Sequence, residues 1–164
     1  LKPMTSLPEF QVKTFDELTL RELHGIYVMR SIVFTVGQQI TEQEPDSADL
    51  ECMHLFMTAP DGRVLAYLRM FDLGTVTDES HEITPGAWTI GRVAVLPETR
   101  GTGLGRALVG AGIDWIRKNT DAERIEISAQ EYLADTLYAR AGFTREGKVY
   151  QEAGIDHVHM VLCL

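Results

Sequence analysis

The residues best suited to chemistry lie in a glycine-rich turn, Arg100-Gly101-Thr102-Gly103-Leu104-Gly105-Arg106, between an apolar stretch and an apolar helix. Glycines allow backbone N–H groups to approach a ligand without a Cβ in the way. A helix N-terminus adds unpaired N–H donors and about half a positive charge. With an arginine at each end, the turn predicts a phosphate or pyrophosphate site. The alternative is a tight strand-to-helix turn without a ligand.

Two familiar phosphate-binding patterns do not match this turn. A P-loop requires Gly-Lys followed by Ser or Thr, and that sequence occurs nowhere in the chain. The dinucleotide fingerprint GxGxxG begins correctly at Gly101 and Gly103, but Arg106 occupies the third glycine position. What remains is an Arg-x-x-Gly-x-Gly pattern that follows a Val-x-Val-x-Pro strand.

Length and charge limit the function classes. A chain of 164 residues predicts one domain over 1–164 with a sizeable core. It carries 15 basic and 24 acidic residues and a net charge of −9, which argues against a general nucleic-acid surface and is compatible with a cationic substrate. The sequence contains neither a signal-peptide pattern nor an apolar run long enough to span a bilayer, so we expect a cytoplasmic protein.

The two cysteines, Cys52 and Cys163, do not form a CxxC pair or a metal-binding spacing. We therefore interpret both as reduced thiols in or near the core.

The pattern of apolar and polar residues predicts alternating strands and helices. The Thr19-to-Glu22 spacing is that of a capping box, and Pro60-Asp61-Gly62 is typical of a hairpin turn. The predicted elements are a strand at 10–14, a helix at 19–34, strands at 53–58, 64–72 and 87–95, a helix at 103–118, a strand at 124–129, a helix at 132–140, and strands at 143–150 and 157–162. Because strand–helix–strand units favour parallel neighbours and hairpins favour antiparallel ones, this order predicts a mixed α/β sheet.

The strand, turn and helix around residues 92–108 resemble motif A of the GNAT superfamily of N-acetyltransferases, whose loop holds the pyrophosphate of acetyl-CoA. The order of elements is also that of the superfamily, so the resemblance covers nearly the whole chain. It implies a mixed, mostly antiparallel sheet flanked by helices, which is the acyl-CoA N-acyltransferase fold. The segments that look like the ElaA-type branch are the early helix from 15 through 34, and 90–93, 129–130 and 150–157.

The resemblance also implies acetyl-CoA as co-substrate and no metal. Backbone groups of the strand would pair with the pantetheine arm like an additional strand, and the turn would hold the pyrophosphate. The cofactor-binding residues expected on this basis are Val93, Ala94, Val95, Arg100, Gly101, Thr102, Gly103, Leu104, Gly105 and Arg106. Family members often have an asparagine seven residues before a tyrosine in the following helix. Here Glu131 takes the place of that asparagine, and Tyr138 is the tyrosine.

Acetylation of an amine poses two proton problems. An alkylammonium must lose a proton before it attacks, at a cost of about 4–5 kcal/mol at neutral pH, and the leaving thiolate is best protonated as it departs. Tyr138 lies in the Leu-Tyr-x-x-x-Gly-Phe setting that the family shares, so we expect it to be the general acid. The alternative is a packed aromatic without a catalytic role.

The general base is not fixed by the sequence. Two candidates are His157 and His159, which alternate onto one face of the last strand. Glu126, on the strand that follows the helix at 103–118, is another, and a water chain is a further candidate. A zinc site at the two histidines lacks a third ligand at diagnostic spacing. Arg92 is cationic and is expected to bind a substrate carboxylate or an internal acid.

The acidic segment 38–50 is predicted to be a loop or an irregular second helix. Its carboxylates Glu42, Glu44 and Asp46 are candidates for attracting a cationic acceptor, although such a charge run is more often a solvated face.

The predicted function is therefore direct transfer of acetyl from acetyl-CoA to a primary amine of a small molecule or peptide. The alternative is a catalytically weak CoA-binding sensor, suggested by Glu131 and by the lack of an obvious base. Acceptor identity and acyl length are left open. The apolar run 158–164 is compatible with strand pairing in a homodimer.

Overall fold

A single seven-stranded sheet forms the centre of the computed structural model, which describes residues 8–164. The strands are β1 (Gln11–Thr14), β2 (Met53–Thr58), β3 (Val64–Asp72), β4 (Ala87–Val95), β5 (Arg124–Gln130), β6 (Thr144–Glu152) and β7 (Ile155–Cys163). Their order in the sheet is β1-β2-β3-β4-β5-β7-β6. Only the β4–β5 pair is parallel, and the other neighbouring strands are antiparallel. The mixed, mostly antiparallel sheet is thus confirmed.

Three α-helices flank the sheet, together with several shorter helical turns. The α-helices are α1 (Leu20–Arg30), α2 (Leu104–Asn119) and the short α3 (Glu131–Leu133). The wide π-helical turns are Ser31–Gly37 after α1 and Ala134–Tyr138 after α3, and the 3₁₀ turns are Phe15–Glu17, Ser47–Leu50, Pro97–Thr99 and Ala139–Ala141. The single helix predicted at 132–140 is therefore three short helical segments.

The N-terminus of α1 is fixed by the capping box that the sequence predicts. The Thr19 hydroxyl accepts from the Glu22 amide at 3.0 Å, and the Glu22 carboxylate accepts from the Thr19 amide at 2.9 Å. Two donors that the helix leaves unpaired are satisfied in this way.

The two long helices cover opposite faces of the sheet. Gly112 of α2 lies so close to β3 and β4 that a Cβ there would be 3.1 Å from Leu68 and 3.3 Å from Ile90. Arg30 of α1 instead lies over Tyr67, the neighbour of Leu68 on β3. Since successive side chains of a strand point to opposite faces, α1 and α2 sandwich the central strands.

The sheet opens between the two parallel strands. β4 and β5 pair only at Ala87 with Arg124 and at Trp88 with Ile125. Further along, the register between β3 and β4 shifts, because Arg69 faces Gly91 whereas Tyr67 faces Ala94. Two residues of β4 thus oppose one residue of β3, which is a β-bulge, and bulges bend the strand that carries them. The result is a cleft between the carboxyl ends of β4 and β5.

β7 lies between β5 and β6 and pairs with β6 as far as Val161, so residues 158–161 have no free edge for the strand of a partner subunit. A homodimer itself stays a prediction. One expectation about the cysteines is wrong. Cys52 is buried, as expected, but Cys163 is exposed at the end of β7. Among residues 8–164, no helix combines the length and the apolar character that crossing a membrane would require.

Candidate active site

The glycine-rich turn presents an uncapped helix N-terminus. Gly101 and Gly103 have φ angles of +81° and +83°, which glycine adopts without strain. Gly103 is the N-cap of α2 and offers no side chain to the first amides, and the first backbone bond of the helix runs from Ala107 to Gly103 at 3.1 Å. The backbone amides of residues 104–106, which precede Ala107, are therefore available to a ligand. A Cβ built on Gly101, Gly103 or Gly105 would meet nothing within 4 Å, so the surrounding space is open.

The other residues of the turn contribute in different ways. Arg100 and Arg106 are both exposed, and Arg100 borders the cleft. Leu104 is buried in the core, and the Thr102 hydroxyl donates to the Thr99 carbonyl at 2.6 Å. These last two residues therefore offer a ligand their backbone amides and not their side chains.

The predicted pantetheine-binding residues lie on the open edge of β4. Val93, Ala94 and Val95 come after Trp88, the last β4 residue that pairs with β5. On the other edge, Ala94 and Val95 face Tyr67 and Ala66 of β3. One edge of the segment is thus free to bind main-chain-like groups, and an arm with amides satisfies such an edge as an added strand does.

A cavity of about 400 Å³ lies at the carboxyl ends of β4 and β5. Its lining residues are Ile32, Val33, Gly37, Gln38, Pro97, Arg100, Gln130, Tyr132 and Ile155. The amides of Gln38 and Gln130 exchange two hydrogen bonds of 2.9 Å across it. The cavity joins the glycine-rich turn, through Arg100, to the end of β5. In α/β sheets this is the place where ligands bind.

Tyr138, the predicted general acid, lies in the π-helical turn that follows α3. Only 6% of the residue is exposed, and its ring packs edge-on against Phe143 with centroids 6.0 Å apart. Burial raises the pKa of Tyr138 well above the ordinary value of a tyrosine, and the nearby Tyr132 adds to the shift. The phenol therefore keeps its proton at neutral pH.

The candidate bases lie on the face of β5 and β7 opposite α2. His159 Nε2 is 2.9 Å from Glu126 Oε1, and His157 Nε2 is 3.3 Å from Glu152 Oε2. Sequence reasoning missed Glu152, which the hairpin between β6 and β7 brings beside His157. The available signal was the short turn at Ala153-Gly154, which sets the register of that hairpin. Among the described residues, no three His, Cys, Asp or Glu side chains are grouped to hold a metal ion.

A buried ionic network occupies the other side of the cleft, where the acidic segment was expected to be a solvated face. That expectation is wrong for Glu44, Asp46 and Asp49, although Glu42 is exposed. Arg30 is completely buried and contacts Asp49 at 2.8 Å and Glu44 at 2.7 Å. These acids are neutralised internally and are not free to attract a cationic acceptor.

Two arginines of the sheet complete this network. Arg69 contacts Asp46 at 2.6 Å and Asp49 at 2.9 Å. Arg92 donates to the Glu44 carbonyl at 2.9 Å and lies 3.2 Å from its carboxylate. Arg92 has a φ of +51°, which is uncommon for a residue with a side chain. Of the two expectations for Arg92, the structure thus favours an internal acid, and this contact ties the bulge of β4 to the acidic segment.

Because of this network, the free energy of unfolding depends on pH in the acidic range. Burial by itself would raise the pKa of Asp49, but hydrogen bonds and charges from Arg30 and Arg69 outweigh it, so the pKa is lowered. The pKa of Asp46 is lowered in the same way by Arg69 and Arg92 against the effect of burial. A group with a depressed folded-state pKa stabilises the fold above its unfolded-state pKa, about 3.9 for aspartate, and loses that effect as the pH falls through the folded-state value.

We therefore expect the contribution of Asp46 and Asp49 to the free energy of unfolding to change little between about pH 7 and pH 5. Below about pH 4 it should fall steeply. Urea unfolding across that pH range measures the effect. The Asp49→Asn variant should show a shallower fall, and an identical acid dependence in both proteins would contradict the assignment.

Glu131, which stands where the family often has asparagine, is held by a surface ion pair. Arg145 of β6 contacts Glu131 at 3.0 Å and Asp135 at 3.1 Å. The Glu131 carboxylate is thus paired with an arginine of the edge strand β6.

A family model described as "Acetyltransferase (GNAT) domain" matches residues 35–164, which include the strand, the glycine-rich turn and the cleft. The chain therefore belongs to the GNAT acetyltransferases. Within this family it falls in the ElaA-type branch, since the crystal structure of Escherichia coli ElaA matches with a TM-score of 0.81 and 25% identity, covering 94% of this chain and 99% of that one.

Two further comparisons agree with the branch and the fold. A crystal structure titled as an acyl-CoA N-acyltransferase from Pseudomonas aeruginosa matches with a TM-score of 0.80 and 33% identity, over 94% of this chain and 99% of that chain. A UPF0039 protein of Schizosaccharomyces pombe is 34% identical over 94% of this chain and 96% of its own length. Family and fold together support acyl-CoA N-acyltransferase activity.

Proposed function

We propose that this protein is a cytoplasmic N-acetyltransferase that transfers acetyl directly from acetyl-CoA to a primary amine of a small molecule or peptide. The observation that carries the proposal is the cleft between β4 and β5, which leads to an uncapped α2 N-terminus flanked by Arg100. A pyrophosphate suits that terminus, and an amide-rich arm suits the open edge of β4.

The chemistry proposed is attack of the neutral amine on the thioester within a ternary complex. Cys52 offers no covalent route, because burial raises the pKa of its thiol to about 12 and keeps it protonated. In the proposed step the C–N bond forms, the C–S bond breaks, and Tyr138 protonates the departing thiolate. Its buried phenol carries a proton at neutral pH, and because its raised pKa makes it a weak acid, transfer to the thiolate is coupled to the loss of a proton from the attacking nitrogen.

The proposal is tested by incubating the protein with acetyl-CoA and a panel of primary amines, namely a diamine, an arylalkylamine and a peptide with a free N-terminus and a lysine. Release of free CoA thiol and the mass of the acetylated amine are measured together. Acetylation of at least one amine at a rate that depends on protein concentration supports the proposal. Tight acetyl-CoA binding without transfer to any amine would instead favour the CoA-binding sensor.

Replacing Tyr138 by phenylalanine should separate catalysis from binding. Loss of the phenol removes the proposed proton donor while the ring keeps its contact with Phe143, so we expect kcat to fall by about 100-fold, within the range for general acid catalysis. The dissociation constant of acetyl-CoA, measured by calorimetry, should stay nearly unchanged.

Tyr27→Phe is the matched control, because Tyr27 lies on α1 and its ring contact with Arg30 does not need the hydroxyl. We expect its kcat to equal that of the wild type. If Tyr138→Phe also kept full turnover, Tyr138 would be a packing residue and the proton would have to come from elsewhere.

A further inference from the structure

A polar cluster lies beside the cleft, on the sheet face that α2 does not cover. The cluster consists of Ser128 on β5, Tyr150 and Glu152 on β6, and His157 on β7. Ser128 is hydrogen bonded to the Tyr150 hydroxyl and donates to Glu152 Oε1 at 3.3 Å. The Tyr150 ring stacks on the His157 ring at 6.2 Å and an angle of 25°. Three strands thus bring four polar side chains to one place.

The strand register brings this cluster level with the point where the cleft opens. Arg124 of β5 lies opposite Ala87 of β4, so Ser128, four residues further on, lies level with Gly91 at the start of the bulge. Gln130, two residues beyond Ser128 on the same face, lines the cavity and pairs in register with His157. Ser128, the member of the cluster on β5, therefore lies next to the open edge of β4 that the thioester arm is proposed to occupy, and its hydroxyl connects that position to Glu152.

Glu152 is the carboxylate of the cluster, and solvent and a ligand can reach it. Its side chain is 54% exposed, whereas that of His157 is 7% exposed. His157 Nδ1 lies 2.8 Å from the Ile155 carbonyl, which can only accept, so this nitrogen carries a proton. The other nitrogen, Nε2, faces Glu152 Oε2 at 3.3 Å. A proton that reaches the Glu152 carboxylate can therefore be held in a hydrogen bond between these two atoms.

We infer that Glu152, supported by His157 and Ser128, accepts the proton of the incoming ammonium. This inference rests on the proposed acetyltransferase function. An ammonium nitrogen passes one proton to Glu152, where His157 Nε2 shares it, and the neutral amine then attacks the thioester carbonyl. As the C–N bond forms and the C–S bond breaks, the nitrogen loses a second proton, which replaces the one that Tyr138 gives to the thiolate. Glu152 then releases its proton to water, and the products are the N-acetyl amine and CoA.

The test uses two small acceptors of the same size, ethylamine and methoxyamine, each at high concentration with acetyl-CoA. Ethylamine is protonated at neutral pH and needs a base, whereas methoxyamine is uncharged there and does not. Glu152→Gln keeps the side-chain shape and an oxygen acceptor for Ser128 but removes the basic oxygen. We expect kcat/KM for ethylamine to fall by about 100-fold and that for methoxyamine to change by less than about threefold.

Glu146→Gln is the matched control, since Glu146 is exposed on the same strand but faces His159 in register and lies outside the cluster. It should leave both rates unchanged. An equal loss with both amines in Glu152→Gln, or no loss with either, would overturn the assignment of Glu152 alone. Absence of transfer by the wild type to these two amines and to every amine of the panel above would overturn the acetyltransferase proposal and this assignment with it.

Discussion

Replacing Gly103 by aspartate is expected to weaken acetyl-CoA binding by at least about 100-fold. The substitution places a carboxylate at the uncapped N-terminus of α2, where the pyrophosphate is proposed to bind, and the new side chain caps the amides that the ligand would use. Loss of two charge-assisted hydrogen bonds, at about 1.5 kcal/mol or more each, corresponds to about two orders of magnitude in affinity. Calorimetric titration of the purified variant with acetyl-CoA measures the change.

Gly147→Asp provides a control matched in backbone and surroundings. Gly147 lies on the edge strand β6 with a φ of +83°, the same as Gly103, and a Cβ there also meets nothing within 4 Å. Both variants therefore place an aspartate at the same positive φ and add the same charge. Acetyl-CoA should bind Gly147→Asp as it binds the wild type. Undiminished binding by Gly103→Asp would show that the glycine-rich turn is not the pyrophosphate site.

Replacing Asp49 by asparagine should destabilise the fold by about 3–5 kcal/mol, the cost of breaking a buried ion pair from one side. Asp49 is 1% exposed and bridges two arginines that are themselves buried, Arg30 and Arg69. Asparagine has nearly the same shape, so the loss reflects the weaker pairing of the two guanidinium groups, which keep only Glu44 and Asp46 as acidic partners, and not a cavity. Urea unfolding at neutral pH gives the difference in the free energy of unfolding.

The exposed pair between Asp61 and Arg63 serves as the comparison. Its shortest N–O distance, 2.8 Å, equals that between Arg30 and Asp49, but both side chains are more than half exposed. We expect Asp61→Asn to unfold at the same urea concentration as the wild type, since surface ion pairs contribute little. Similar midpoints for Asp49→Asn and Asp61→Asn would mean that the buried network does not stabilise the fold.

The sequence predicts the central strands and the glycine-rich turn well because their signals are local. Strands β2, β3 and β4 begin and end at the predicted residues, since the Pro60-Asp61-Gly62 turn and the glycine-rich turn limit them. The chemistry of the turn follows from residue types that are adjacent in the chain. A short stretch thus contains the evidence for both its own structure and its ligand.

The ionic network was not predictable from the acidic segment, because inward and outward carboxylates look alike in a charge run. Their partners are distant in sequence, since Arg30 precedes Asp49 by 19 residues and Arg69 follows it by 20. One local signal was present. Arg30 shares the buried stripe of Ile26 and Val33 on the helix and its continuation, and a charge in an apolar stripe requires an acidic partner.

Glu152 escaped prediction for a related reason. All of β6 is exposed, so its sequence lacks the apolar alternation that would indicate which side chains share a face. Only the hairpin register, with Glu152 opposite Ile155, places its carboxylate beside His157.

The interrupted pairing of β4 and β5 divides the sheet into two half-sheets that share one hinge. The four strands before the cleft and the three after it are joined across the sheet by only two residue pairs, at Ala87 and Trp88. A ligand arm that pairs with residues 93–95 of β4, as proposed, would act as an additional strand within the gap. The free energy of such binding adds directly to the free energy of folding, so the protein and its co-substrate would form one cooperative unit.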